Sequence, residues 1–227
     1  MAKQKNNKEQ VNVEEVITQS EAFIIKYKNA IIGGIIAVVL VVAGFLAYKH
    51  LYSDLREEKA QIALFKGEEY FRNEVYKQAL NGDSIGYAGF LNIVEQYNGT
   101  KAANLAKAYA GLCYKNLKEY EKAVEYLNSF NGNDQMVAPS ILGAIGNSYA
   151  ELGQLDKAVS FLLKAADQAN NNTLSPIFLK QAGQILTKQT KYNEAVNVYT
   201  KIKDKYSQSY QALDIDKYIE QAKMMKQ

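Results

Sequence analysis

The chain has 227 residues, and its 27 basic and 24 acidic side chains leave a formal net charge of +3. With no concentrated basic run, nucleic-acid binding is not expected. A single cysteine, Cys113, excludes a disulfide within the chain, and with a single histidine, His50, no sequence motif for a metal site or a His-based triad is present. Two prolines, no tryptophan and abundant Ala, Lys, Glu, Leu and Tyr point to an all-α protein.

Residues 1–28 read as a short polar tail. From Asn29 to Tyr48 no side chain carries a formal charge, and Lys28 and Lys49 close the two ends. At about 1.5 Å per residue, such a helix reaches roughly 30 Å, the thickness of a bilayer's hydrocarbon core. Tyr27, Tyr48 and Tyr52 fall where interfacial rings are expected. A cleavable signal would have a shorter apolar stretch and a small-x-small site after it, whereas this run ends in Phe45-Leu46-Ala47-Tyr48. A retained single-pass signal-anchor over residues 29–48 is predicted. Lys3, Lys5, Lys8, Lys26 and Lys28 precede it, and Lys49, Arg56, Lys59 and Lys66 follow. That balance leans toward an N-terminus in the cytoplasm by one charge. Ala30, Gly34, Ala37, Val41 and Gly44 share one helix face. They form either a docking stripe for another membrane helix or simply residues that such a helix tolerates.

Beyond the anchor, Leu51, Leu55, Ile62, Leu64 and Phe65 alternate with charges at helical spacing. A helical stalk over residues 49–82 is predicted, its helix running to about Leu80. A repeat domain follows over residues 83–227. "GYAGFLNIVEQYNGT" (86–100) reads as the second helix of a degenerate first unit, with Thr100 placed to cap the next helix.

Self-comparison gives the strongest signal. "GLCYKNLKEYEKAVEYL" begins at Gly111, "GNSYAELGQLDKAVSFL" at Gly146 and "GQILTKQTKYNEAVNVY" at Gly183. In each, a large residue follows the glycine (Tyr114, Tyr149, Leu186), then Tyr120, Leu155 or Tyr192, then Ala123, Ala158 or Ala195, then Leu127, Leu162 or Tyr199. This spells two antiparallel helices crossing closely at the Gly and Ala positions. Pro139 and Pro176 each precede a repeat glycine by the same interval, at a helix start where proline costs no hydrogen bond, and Ser175 is a candidate N-cap. "ALDIDKYIEQAKMM" is expected to close the stack as a terminal helix with Tyr218, Ile219 and Ala222 inward.

The pattern resembles the tetratricopeptide repeat (TPR), so the predicted fold is one N-terminal transmembrane helix followed by an α-helical TPR solenoid. The resemblance implies a partner groove lined by the leading helices. It places Leu105, Ala108, Leu112, Lys115 and Asn116 there from the first clear unit, and Ser140, Gly143, Asn147, Ala150 and Glu151 from the second. Ile177, Lys180, Gln184, Thr187 and Lys188 come from the third. Ala108 and Leu112 stand where some cytosolic TPRs carry a Lys-Asn clamp for a chaperone's carboxyl terminus. A co-chaperone of that kind is therefore not expected.

No catalytic arrangement emerges. Cys113 reads as a small buried residue, and "GAIG" (143–146) lies within a helix and lacks a phosphate loop's preceding strand. Neither an enzyme nor a cofactor nor a small-molecule substrate is expected. The polar tail with "EEVITQSEAFIIKYKNA", the single anchor and "FLNIVEQYNGTKAANLAKAYAGLCYKNLKEYEKAVEYL" together resemble the YfgM-like family. These are bacterial inner-membrane TPR proteins, ancillary to the Sec translocon. The resemblance implies a periplasmic repeat domain and translocon subunits or periplasmic chaperones as partners. An assembly scaffold of another envelope complex and a cytosol-facing targeting receptor are the alternatives.

Overall fold

A computed structural model describes residues 13–226, with side chains from Phe23 onward. The described residues form an all-α protein: one long apolar N-terminal helix, then a stack of paired helices. Two compact units divide at Leu55 and Arg56.

In the first unit, α1 (Val13–Tyr48) carries the uncharged run. None of its described side chains is buried, and Ile35, Val38 and Val41 are more than half exposed, so the apolar surface faces outward all round. Such a helix suits lipid and not water. By length and composition it is fit for one membrane crossing. It passes into a π-helical turn at Lys49–Ser53, in which the Asp54 N–H reaches back to the Lys49 carbonyl. His50 Nδ1 lies 3.0 Å from Asp54 Oδ2 beside that turn.

The second unit begins within α2 (Asp54–Arg72), at Arg56, and goes on to α3 (Tyr76–Asn81). It continues through α4 (Phe90–Gln96), α5 (Lys101–Asn116) and α6 (Tyr120–Asn128). Then come α7 (Val137–Glu151), α8 (Leu155–Ala169), α9 (Ser175–Lys188) and α10 (Tyr192–Lys205). A 3-10 turn (Tyr210–Asp214) leads into α11 (Ile215–Met225). The pairs α5/α6, α7/α8 and α9/α10 are the three repeats read from the sequence, and the glycines do what their spacing implied. A Cβ on Gly111, Gly146 or Gly183 would collide with the Leu127, Leu162 or Tyr199 side chain respectively. Only glycine admits that approach, and the paired alanines Ala123, Ala158 and Ala195 are fully buried.

One turn joins the helices of every pair. The N–H groups of Glu119, Gln154 and Lys191 return to the carbonyls of Tyr114, Tyr149 and Leu186, each at 2.9 Å. Lys118, Gly153 and Thr190 hold the left-handed position with φ of 64°, 73° and 60°. This is the Schellman ending of a helix.

The same turn recurs earlier, at Glu74 (φ 60°), where the Val75 N–H bonds to the Tyr70 carbonyl at 2.9 Å. Gly67, Tyr70, Tyr76 and Ala79 repeat the spacing of Gly111, Tyr114, Tyr120 and Ala123. Helix α2 is thus the leading helix of a further repeat, and the helix expected to run on to about Leu80 ends at Arg72 instead. The second helix of this repeat is interrupted after Asn81. An inserted loop is held by Asp83, whose carboxylate accepts from the Tyr70 hydroxyl (2.6 Å) and from the Ile85 and Tyr87 N–H groups. The helix then resumes as α4, the predicted second helix of the degenerate unit. Phe90 meets Gly67 as Leu127 meets Gly111, its ring filling the place where a Cβ would stand.

Caps fix the starts of the leading helices. Thr100 Oγ1 accepts from the Ala103 N–H, as its position predicted. Glu57, far away in sequence on α2, accepts from the Lys101 and Ala102 N–H groups at 2.7 and 3.0 Å, placing a carboxylate at the α5 N-terminus. Ser175 is not the cap of α9. Its buried hydroxyl donates back to the Ala166 carbonyl at 2.7 Å, while Asn171 Oδ1 receives the Thr173 and Leu174 N–H groups. The Ala166 carbonyl also accepts from the Asn170 N–H at 3.1 Å, so the serine adds a second hydrogen bond at the end of α8 and satisfies its own buried hydroxyl. At the other end, Ile215, Ile219 and Ala222 bury themselves against Tyr199, Ile202 and Tyr206, closing the stack as expected of a terminal helix.

Candidate partner-binding groove

The leading helices α7 and α9, with α11 beside them, enclose a cavity of about 490 Å³. It gathers five of the residues assigned to the groove: Asn147, Ala150, Gln184, Thr187 and Lys188. Gln181, Ile185, Tyr199, Tyr218 and Gln221 complete the wall. Sequence reading missed these five. Tyr199 was recognised only as a filler beneath Gly183, and Tyr218 only as an inward-facing residue of the cap.

The wall is held by specific contacts. Thr187 donates its hydroxyl to the Gly183 carbonyl at 2.9 Å and lies 3.4 Å from the Tyr199 hydroxyl. The Tyr199 and Tyr218 rings stand 5.6 Å apart, and burial holds the Tyr199 phenol above its ordinary pKa. The Gln181 Oε1 atom is buried and has no hydrogen-bond partner among the described residues. Such an acceptor is costly until something donates to it.

Lys180 is spent internally. Its ammonium binds both Asp214 carboxylate oxygens at 2.8 Å and lies 4.5 Å from the centre of the Tyr218 ring. Burial pulls its pKa down, but the Asp214 hydrogen bond and charge outweigh this and hold it above the usual lysine value. The cavity wall carries one cation, Lys188, and four amide side chains, Asn147, Gln181, Gln184 and Gln221, among apolar and hydroxyl-bearing neighbours. Among the described residues no carboxylate lies within ion-pairing distance of Lys188.

The other assigned residues sit elsewhere. Ala108 is buried with Val124 and Ile141 between successive repeats, and Leu112 packs on the same cluster. Gly143 is buried where a Cβ would run into the Phe178 ring, so it too belongs to inter-repeat packing. Leu105 lines a separate cleft of about 540 Å³ at the start of α5. Lys115 is half-buried, and the Asn116 amide donates to the Leu112 carbonyl at 2.9 Å. Ser140 donates to the Met136 carbonyl, Glu151 is exposed and Ile177 is half-buried. In α1, Ala30, Gly34, Ala37, Val41 and Gly44 are all exposed, with open space where a Cβ on Gly34 or Gly44 would be.

Cys113 is fully buried in α5, and burial pushes its thiol up to about 12. A thiol so far from ionising is a packing residue. Among the described residues, no three His, Cys, Asp or Glu side chains cluster as a metal site would require.

The sequence pattern described as "Tetratricopeptide repeat" matches residues 110–130 and 139–172. The 43 kDa receptor-associated protein of the synapse from Gallus gallus is 33% identical over 78 residues, which is 34% of this chain and 18% of that protein. The matched region thus spans under a fifth of that relative's length. Among solved structures, the crystal structure of a Podosopora anserina protein, described as a kinesin light chain with nearly identical TPR-like repeats, aligns with a TM-score of 0.52. The alignment covers 74% of this chain and 87% of that one at 12% identity, a likeness of fold alone.

Proposed function

We propose that this helix-repeat protein of the tetratricopeptide type, distantly related to other TPR-domain proteins, is a membrane-tethered scaffold that holds a partner protein against α7, α9 and α11. The observation that carries the reading is the cavity of about 490 Å³ on the leading helices, with exposed polar groups and no catalytic grouping in its wall. The Gallus gallus relative is by its name receptor-associated; association with another protein, not the receptor itself, is what this reading takes from it. Residues 29–48 serve as the anchor. A photo-crosslinking amino acid in place of Gln184 should capture protein partners in intact cells, whereas one in place of exposed Ser160 on α8 should not. Equal capture at both positions would sink the groove as the binding face.

A finer reading follows from the family resemblance of tail, anchor and repeats. The protein would sit in a bacterial inner membrane with residues 1–28 in the cytoplasm and the repeats in the periplasm, as an ancillary subunit of the Sec translocon or a partner of periplasmic chaperones. The exposed stripe of Ala30, Gly34, Ala37, Val41 and Gly44 would then dock on a membrane helix of the partner. Replacing Gly34, Ala37 and Gly44 by Leu should strip translocon subunits from the detergent-purified protein while leaving it in the membrane. Undiminished co-purification would remove the stripe from the account, and recovery of a different envelope complex would replace the translocon.

A further inference from the structure

We infer that the outer face of α2 is an interface between two copies of this chain, centred on Ile62 and Phe65. Helix α2 carries apolar side chains on two opposite faces. At about 3.6 residues per turn, Ala60, Leu64 and Gly67 fall on the face buried in the first repeat, and Glu58, Ile62, Phe65 and Glu69 fall on the other. Ile62 and Phe65 are 62% and 61% exposed there. The register of the repeat glycines identifies this face. Ile62, Phe65 and Glu69 stand to Gly67 as Ala106, Tyr109 and Cys113 stand to Gly111, and as Ile141, Ala144 and Ser148 stand to Gly146. In the later repeats these positions meet the preceding helix pair. Ala106 and Cys113 are buried in one cluster with Leu64 and Phe90, Tyr109 stacks on Phe90, and Ile141 and Ala144 are buried with Val124 and Leu127. Because α2 opens the repeats, the same face has no helix pair before it among the described residues. An end repeat needs a polar outer face or a cover, and at the other end α11 supplies one.

The charges around the two apolar residues select a second copy as the cover. Glu58, Ile62, Phe65 and Glu69 step by four, three and four residues, the spacing of the a and d positions along a helix–helix seam. Two copies anchored in one membrane in one orientation are related by a twofold axis along its normal, which brings identical residues to the same level. This parallel arrangement rests on residues 29–48 being the anchor. It sets Ile62 on Ile62 and Phe65 on Phe65. In such a seam each side chain enters a hole formed by four residues of the facing helix. The hole that takes Glu58 includes Lys59 of the second copy, and the hole that takes Glu69 includes its Arg72. All four charged residues are exposed, and among the described residues none is in an ion pair within its own chain. Each seam carboxylate thus meets a cation of the second copy, with the apolar residues between. An anionic lipid surface would instead oppose Glu58 and Glu69 with like charge.

The test uses the full-length protein, in membranes and in detergent. Mild oxidation of membranes holding the Ile62→Cys protein should give a disulfide-linked pair of chains, because residues that face each other across the axis come within bonding reach. Wild type, whose single cysteine is the buried Cys113, and Ser160→Cys on the exposed face of α8 should stay unlinked under the same treatment. In detergent, sedimentation should show a concentration-dependent dimer. Ile62→Glu with Phe65→Glu should weaken it more than about a hundredfold while leaving the helical circular dichroism unchanged, since neither side chain is buried within the chain. Glu58→Lys should weaken it about five- to twentyfold, and adding Lys59→Glu should recover most of that loss, because the exchanged charges still meet across the axis. Wild type that stays monomeric in detergent and gives no Ile62→Cys pair in membranes overturns the inference. So does a dimer that survives the double glutamate variant, a Glu58→Lys loss that Lys59→Glu deepens, or an Ile62→Cys adduct formed only with a different protein. Release of wild type from membranes by alkaline carbonate would take down the anchor, while the α2 contact would still be read in detergent. Capture from Gln184 does not involve α2, so the groove stands or falls separately.

Discussion

Thr190 holds φ of 60° with a β-branched side chain, in a region where Cβ crowds the following carbonyl at about 1–2 kcal/mol for an ordinary residue. Glycine there would escape that strain but would lose about 0.5–1 kcal/mol more backbone entropy on folding. The strain outweighs the entropy, so Thr190→Gly should raise the midpoint of denaturant unfolding by the equivalent of about 0.5–1 kcal/mol. Gly153→Ala, at φ 73° with open space around it, should lower it by a similar amount. A Thr190→Gly protein that unfolds more easily would show that the turn is not left-handed. The turn position is glycine in only one of the four repeats, although the balance favours glycine there. The Schellman hydrogen bond and the Gly–Ala helix crossing hold the chain there whatever side chain it carries, so the sequence is free to drift at that position.

At the start of α7, Asp134 receives the N–H groups of Met136, Val137 and Ala138 at 2.8, 2.5 and 3.2 Å. The Met136 bond is the chief reason its carboxyl titrates below the ordinary aspartate value, with the Val137 and Ala138 bonds adding to it. A folded pKa below the unfolded one, about 3.9, contributes stability that is complete above that value and is lost as the pH falls through the folded one. Asp134→Asn should therefore be less stable than wild type at neutral pH, and the gap should narrow as the pH falls below the ordinary aspartate range. A gap that stays constant with pH would mean that the carboxylate's charge plays no part in the cap.

Helices whose local signals and tertiary contacts agree were readable from sequence alone. The crossings at Gly111, Gly146 and Gly183 and the cap at Thr100 are of this kind. The first repeat was hidden although Gly67, Tyr70, Tyr76 and Ala79 keep the register, because the loop around Asp83 separates them from Phe90, the large residue that completes the motif. For the groove, the family resemblance pointed to α7 and α9 but not to the partners that neutralise or bury a side chain. That Lys180 is consumed by Asp214, on a later structural element, and that Ala108 and Gly143 are packing positions, depend on contacts between repeats. No local pattern records them.

At the scale of the whole molecule, α1 and the repeats make opposite demands on solvent. The described side chains of α1 are exposed apolar surface, whereas the repeats bury theirs against one another and hold their outer faces with ion pairs from one repeat to the next. Lys191 reaches Asp156 at 2.6 Å and Lys201 reaches Asp167 at 2.7 Å. Such exposed pairs stabilise by at most about 1 kcal/mol each, so they tune the surface more than they hold the stack. Which side of a membrane the repeats occupy is a separate matter, governed by basic residues near the span. Lys3, Lys5, Lys8, Lys26 and Lys28 precede it, and Lys49, Arg56, Lys59 and Lys66 follow. Because the two counts nearly balance, removing two charges reverses the bias: Lys26→Gln with Lys28→Gln should place the repeats on the cytoplasmic side in a substantial share of molecules. With the repeats on the outer side, as proposed, protease added to spheroplasts of an expressing bacterium should digest the wild-type repeats and spare that share of the double variant. Complete digestion of both would mean that flanking charge does not set the orientation and that the translocation of the repeats themselves does.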